Sequence, residues 1–297
     1  MYKLEYFFLR LVYFFFSHLP FFTAKYFADG LAFVAGSLIG YRKKVVVENL
    51  TRIYGENWPR PQKQFIKETY RHFIYLWMEL MQTPKLTPET FKKRIRVDNI
   101  DVLREALDEG RGVLLLTGHL GNFEWINSGV SLMGFPFAGI TKKQSNPYIN
   151  TFVTALREKW GSTIIHTREG MREGLRFLKK GGILGLAADQ YAGSRGVTVK
   201  MFGLDTPTFA GPAVFHLRTG APLVFIAAER TAYGRFTFHF EKMACPRFQE
   251  TSDEAIAAIM QCYNNYLEKW IRRYPEQYFW THRRWKNLMS PESEPNK

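Results

Sequence analysis

Hydrophobic residues fall along the chain in two different regimes. Through the first forty residues they are almost continuous: 4–19 reads LEYFFLRLVYFFFSHL and 21–41 reads FFTAKYFADGLAFVAGSLIGY. Arg10, His18, Pro20, Lys25 and Asp29 interrupt these runs, so neither offers the roughly 18 clean apolar residues that a spanning helix needs. The pattern predicts an interfacial helical hairpin, with aromatics at the acyl boundary and Arg42, Lys43 and Lys44 among the headgroups. The competing reading is a pair of greasy helices packed on the body. A thin basic start and the lack of a small-residue cleavage site argue against a signal peptide.

Beyond a polar helical stretch at 61–82, short apolar runs alternate with amphipathic ones. Strands are expected at 112–117, 135–141, 162–166, 183–188 and 222–229, with 235–241 as an antiparallel neighbour of the last. Helices are expected at 122–133, 147–160, 169–180, 208–219 and 253–274. Pro147 suits a first helical position, and Gly181-Gly182 and Gly220 suit helix ends. This is the pattern of an α/β protein with a mixed, mostly parallel central sheet flanked by helices, preceded by an N-terminal membrane-associated helical segment. Expected boundaries are 1–44 for that segment, 45–289 for one catalytic domain and 290–297 for a polar tail. In such sheets ligands bind at the carboxyl ends of the strands, which puts His119, Arg168 and Asp189 on one edge.

Charge and composition narrow the chemistry. A net charge of +14 favours a polyanionic partner: anionic lipid, an acidic carrier protein or nucleic acid. Nucleic acid fits poorly, because the aromatics sit in apolar runs and do not interleave with Lys and Arg. The two cysteines, Cys245 and Cys262, have no metal-type spacing, so neither a disulfide nor a zinc site is expected and a reducing cytoplasm fits best. No H-E-x-x-H, G-x-S-x-G, P-loop or dinucleotide fingerprint occurs, and no cofactor is expected.

The candidate chemistry lies in Gly118-His119-Leu120-Gly121-Asn122-Phe123-Glu124-Trp125. A neutral imidazole can take a proton from a hydroxyl near pH 7, and a carboxylate can fix its tautomer. Five residues of helix rotate a side chain by about 140°, and an odd offset in a strand reverses its face. His119 is therefore expected in a glycine turn, with Glu124 in the first turn of the next helix. Backbone N–H groups of the Gly121–Phe123 turn are candidates for an oxyanion site. A surface histidine beside an exposed glutamate is the plainer alternative.

With these residues in hand, the chain resembles the bacterial lipid A late acyltransferases within the lysophospholipid acyltransferase-like fold. The likeness spans about 41–286 and rests on His119-x-x-x-x-Glu124-Trp125, Asn146-Pro147, Arg157, Arg168, Asp189-Gln190, Met201-Phe202-Gly203 and Thr206-Pro207. It ends on Pro275-Glu276-Gln277-Tyr278 with Trp280-x-His282-Arg283-Arg284-Trp285-Lys286. Much of that family has Phe-Phe-Gly where Met201 begins the motif here. The resemblance implies transfer of an acyl group from an acyl carrier protein thioester, or from acyl-CoA, to a hydroxyl of a lipid A precursor at the cytoplasmic face of the inner membrane. It implies His119 as general base, Glu124 as its partner and no acyl-enzyme. Asn122, Arg157, Arg168 and Asp189 are the expected substrate contacts, with an ion pair the alternative for each arginine and for Asp189. Two other functions stay open: acylation of a lysophospholipid or another membrane glycolipid, and a non-enzymatic protein that only holds anionic lipid.

Overall fold

The run Val113–Thr117, VLLLT, is buried at every position and forms the middle strand of a seven-stranded sheet. The computed structural model describes residues 1–248 and 250–288; the expected tail at 290–297 lies outside them. In chain order the strands are β1 (Ile95–Asp98), β2 (Val113–Thr117), β3 (Phe137–Thr141), β4 (Thr163–His166), β5 (Ile183–Ala187), β6 (Val197–Met201), β7 (Leu204–Thr208), β8 (Leu223–Ala232) and β9 (Arg235–Lys242). The sheet runs β1-β9-β8-β2-β5-β3-β4, and only β8 and β9 pair antiparallel within it. This is the expected mixed, mostly parallel sheet flanked by helices.

The helices are α1 (Tyr2–His18), α2 (Phe21–Phe33), α3 (Lys43–Tyr54), α4 (Gln62–Met81), α5 (Pro88–Arg94), α6 (Ile100–Asp108), α7 (Phe123–Leu132), α8 (Pro147–Glu158), α9 (Gly170–Lys179), α10 (Gly211–Thr219) and α11 (Asp253–Arg273). Side chains alternate across β2 as the pleat requires. Leu114 and Leu116 join a core with Phe215, Tyr263, Leu267 and Trp285, while Val113 and Leu115 join the opposite core with Trp125, Val130 and Phe238. Two covered faces explain why β2 reads as an unbroken apolar run.

Helices α3, α5 and α6 and three strands escaped the hydrophobic pattern. Strand β1 is a four-residue sheet edge, IRVD, too short and too charged to signal itself. Strands β6 and β7 form a separate hairpin joined by Phe202-Gly203, with φ of 52° and 75°. Positive φ at both central residues is what a two-residue hairpin turn demands, and Phe in the first of them hides that signal.

The N-terminal segment is two helices, as expected, followed by a π-wound stretch Val34–Ile39. Its inner side is small and buried: Ala24, Ala28 and Ala32, spaced by one helical turn, together with Phe16. Polar ties fasten it to the body. Gln82 donates to the carbonyls of Phe16 and Leu19, Tyr75 donates to Asp29, and Asn146 donates to the Tyr2 carbonyl. The outer side exposes Phe7, Phe8, Phe14, Phe22, Phe27, Leu38 and Ile39. No helix among the described residues is long and apolar enough to cross a membrane.

One expectation is corrected here. Cys245 and Cys262 form a disulfide, with Cα atoms 5.6 Å apart, tying the segment after β9 to α11. The sequence gives no hint, since a single pair separated by 17 positions meets only once β9 and α11 have packed. Closing a loop of this size restricts the unfolded chain and is worth about 3 kcal/mol. Denaturant unfolding with and without reductant should differ by that order; coincident midpoints would show that the bond adds nothing to stability.

Candidate active site

The chain leaves β2 through Gly118 and turns sharply at Gly121. A Cβ at Gly121 would lie 1.6 Å from the Ala228 carbonyl oxygen, and its φ of +62° is itself the left-handed conformation that favours glycine. The segment near the C-terminal end of the described chain pins this turn: Gly121 N–H donates to the Gln277 carbonyl, and Phe279 N–H donates to the carbonyl of His119. Asn122 then opens α7 as its N-cap, its Oδ1 accepting from Trp125 N–H at 2.9 Å. His119 thus stands in a turn and Glu124 in the first turn of a helix, as the spacing required.

The residue that holds His119 is Asp189. Asp189 follows β5, the parallel neighbour of β2, and is 1 % exposed. One carboxylate oxygen accepts from the His119 backbone N–H at 2.8 Å, and the other lies 2.7 Å from His119 Nδ1. An ionised carboxylate can only accept, so Nδ1 carries the proton and Nε2 presents its lone pair. Gln190 Nε2 lies 3.1 Å from that nitrogen and donates to it. Burial pulls the His119 pKa down, but the charge and hydrogen bond of Asp189, with the charge of Glu124, more than reverse this and leave it above 6.5. Burial pushes the Asp189 carboxyl up, yet His119 and Arg284 bring it to about 2.

Both strand ends are held by one phenol. Tyr263, buried on α11, donates to the Thr117 carbonyl at 2.7 Å and accepts from Ala188 N–H at 3.1 Å. These groups lie two residues before His119 and one before Asp189.

Glu124 engages a different partner from the one expected. Its carboxylate forms a bidentate pair with Arg157 of α8, at 2.8 Å from Nε and 2.6 Å from Nη2, the fork geometry that guanidinium favours. Glu124 acts on His119 through its charge, and Arg157 is occupied by an ion pair and not free for a substrate phosphate. Asn122, also expected at substrate, is fully buried and turned inward: its amide donates to Glu79 at 2.8 Å. The N–H groups of Gly121 and Asn122 donate to the Gln277 and Ala228 carbonyls, which removes both from the expected oxyanion site. Arg168 is exposed past the end of β4. It shares the sheet edge with His119 but lies three strand spacings away, about 14 Å.

Beneath the turn lies a network that sequence reasoning missed. Glu79 of α4 accepts from Arg230, from Gly234 N–H and from Asn122, and Arg230 also donates to His72, whose Nε2 donates to the Gly121 carbonyl at 3.1 Å. Burial, then the Arg230 charge, holds His72 well below 6.5, so it stays neutral. His72, Tyr75 and Glu79 are buried polar positions on one α4 face, and that clustering is the available signal. The outer wall of the site is aromatic. Phe123 and Phe279 lie 4.5 and 5.9 Å from the His119 ring, and the row continues through Phe73 to Tyr41 at the end of the N-terminal segment.

A family model for bacterial lipid A biosynthesis acyltransferases matches residues 2–287. The chain belongs to that family. Among relatives, it is 26 % identical over 285 residues to the lipid A biosynthesis palmitoleoyltransferase of Escherichia coli (strain K12), covering 93 % of this chain and 89 % of that protein. It is 27 % identical over 277 residues to the lauroyltransferase of the same organism, covering 90 % and 86 %. It is also 28 % identical over 181 residues to the phosphatidylinositol mannoside acyltransferase of Mycolicibacterium smegmatis (strain ATCC 700084 / mc(2)155), covering 59 % of each chain. The resemblance read from the motifs therefore holds across the chain, and the protein is an O-acyltransferase.

In this acyltransferase the Tyr263 hydroxyl ties the backbone at the end of β2 to the backbone just after β5. Tyr263→Phe leaves a buried N–H without its partner and should cost about 1–3 kcal/mol in denaturant unfolding. Tyr266→Phe, which frees the more exposed Ala244 N–H and Lys242 carbonyl, should cost less. Equal losses would contradict the special place given to Tyr263.

Proposed function

We propose that this acyltransferase moves a fatty acyl group from an acyl carrier protein thioester, or from acyl-CoA, to the 3-hydroxyl of a chain on a lipid A precursor. The observation that carries the reading is an imidazole whose Nδ1 faces a buried carboxylate while Nε2 keeps its lone pair, met by the movable Gln190 amide beside the rings of Phe123 and Phe279. His119 Nε2 takes the hydroxyl proton, and the alkoxide attacks the thioester carbonyl. The C–S bond then breaks, and the imidazolium returns its proton to the thiolate. A thiol of pKa about 8.5 leaves with little acid help, which suits a route without an acyl-enzyme. Asp189 orients the ring and stabilises the imidazolium. Glu124, fixed by Arg157, adds a second negative charge toward that cation. Arg168 contacts a phosphate-bearing part of donor or acceptor.

The exposed aromatics of α1 and α2 support a seat for this segment in the interface of the inner membrane, on its cytoplasmic side, with 42–44 at the anionic headgroups. The aromatic row from Tyr41 to His119 then joins the bilayer surface to the base. Acyl carrier protein, itself acidic, suits the net charge of +14. The similarity to the phosphatidylinositol mannoside acyltransferase favours a second reading, in which a different membrane glycolipid is the acceptor of the same chemistry. A panel of acylated lipid A precursors, lysophospholipids and mannosylated lipids, assayed for thioester consumption, separates the two.

His119→Ala should abolish transfer without unfolding the protein, and Glu124→Gln should lower it by about a hundredfold, the usual range for lost acid–base support. Normal turnover by His119→Ala would end the base assignment. The pH profile has a definite sign. The active base is neutral, so kcat/KM should rise with pH through a midpoint above 6.5, where Asp189 holds His119. Asp189→Asn removes the negative charge and should move that midpoint down while lowering the plateau; an unmoved midpoint would show that Asp189 does not govern the base.

A further inference from the structure

Attack on a thioester creates an oxyanion, and the turn that should receive it has two of its three amides already engaged, Gly121 N–H with Gln277 and Asn122 N–H with Ala228, so that a second donor beside Phe123 N–H is needed. We propose that the side-chain amide of Gln190 donates the hydrogen bond that stabilises this oxyanion. The inference rests on the proposed role of His119 as base and extends it to the other charge formed in the same step.

The position of the amide leads to this assignment. Gln190 Nε2 sits 3.1 Å from His119 Nε2, the nitrogen whose lone pair must receive the acceptor proton. A hydroxyl cannot bind there until the amide gives way. The backbone around it is fixed at consecutive residues. Asp189 grips His119; the Gln190 carbonyl accepts from Arg284 Nη1 at 2.9 Å; Tyr191 N–H donates to His282 Nε2 at 3.1 Å. Arg284, 1 % exposed, is itself anchored to the Pro207 carbonyl at 2.7 Å and to Thr208 Oγ1 at 2.7 Å. The Gln190 side chain is therefore the part of this loop left to move, and its short travel keeps the N–H beside the atom under attack. Burial, then the neighbouring His119 charge, lowers the His282 pKa to about 4, so it stays neutral and serves as acceptor for Tyr191.

The step balances without a co-reactant. The acceptor O–H gives its proton to His119 Nε2 and its oxygen bonds to the carbonyl carbon. The carbonyl π electrons move onto oxygen, where the Gln190 N–H meets them. They return as the C–S bond breaks, and the thiolate takes the proton from the imidazolium. Arg284 acts through Gln190 and is a positioning residue.

The test uses the full chain with acyl carrier protein thioester and a lipid A precursor, measuring thioester loss for Gln190→Ala and Gln190→Glu. Loss of one oxyanion donor typically lowers kcat about 10²–10³-fold. That fall is expected for Gln190→Ala, with both KM values and the unfolding midpoint held near those of the parent. Gln190→Glu, whose ionised carboxylate has no proton to donate, should fall at least as far. Unchanged or raised kcat in Gln190→Ala would overturn the proposal and leave the amide a mere occupant of the lone pair. A raised KM at retained kcat would overturn it in favour of substrate binding alone. His119→Ala run in parallel keeps the two ideas apart: an active His119→Ala removes the base assignment, whereas an inactive one beside a normal Gln190→Ala removes only the oxyanion role.

Discussion

The chemistry proposed for this protein depends on a buried carboxylate that holds one histidine at two points. By accepting from both the backbone N–H and the ring of His119, Asp189 fixes where the residue sits and how its imidazole is protonated. Two bonds from one rigid group leave little rotational freedom, and in a dry setting a charge-assisted bond is strong. Burial raises the energy of any charge there, so Asp189 stays ionised only because His119 and Arg284 compensate it. The carboxylate and the imidazole are each other's condition.

Everything near that pair reads as a means of keeping two loops in register. Parallel pairing of β2 and β5 brings the loops side by side, and Tyr263 stitches the strand ends. Gly121 lets the chain approach Ala228 more closely than any side chain would allow, and the polar cluster of Glu79, Arg230 and His72 supports the far side of that turn. The C-terminal run braces the same loops from within. Gln277 and Phe279 pin the His119 turn, and Arg284 is buried as a brace for Gln190.

Much of this was legible in the sequence. The alternation of apolar and amphipathic runs located most strands and helices of the sheet, and the H-x-x-x-x-E spacing placed His119 in a turn and Glu124 on the following helix. Strand adjacency was the missing information. Asp189 stands seventy residues from His119, and which carboxylate reaches an imidazole depends on which strands are neighbours, a property that periodicity does not encode. For the same reason the bond between Glu124 and Arg157 cannot be read from spacing: Arg157 lies on α8, and the meeting of α7 with α8 is tertiary. The disulfide is a third case, invisible until β9 and α11 pack. Gln190 is visible as part of a motif, yet the role proposed for it depends on which backbone amides are already engaged.

The N-terminal segment links this site to its setting. Small alanines face the body and large aromatics face out, so the same two helices dock on the domain and expose an apolar face beside the aromatic row that ends at His119. The central claim concerns the state of one ring, and ¹⁵N NMR of histidine-labelled protein reads it directly. The account predicts a His119 imidazole with a protonated Nδ1 and a bare Nε2, titrating above 6.5 and moving down in Asp189→Asn. A ring protonated at Nε2, titrating at or below 6.5 and indifferent to Asp189→Asn, would contradict it.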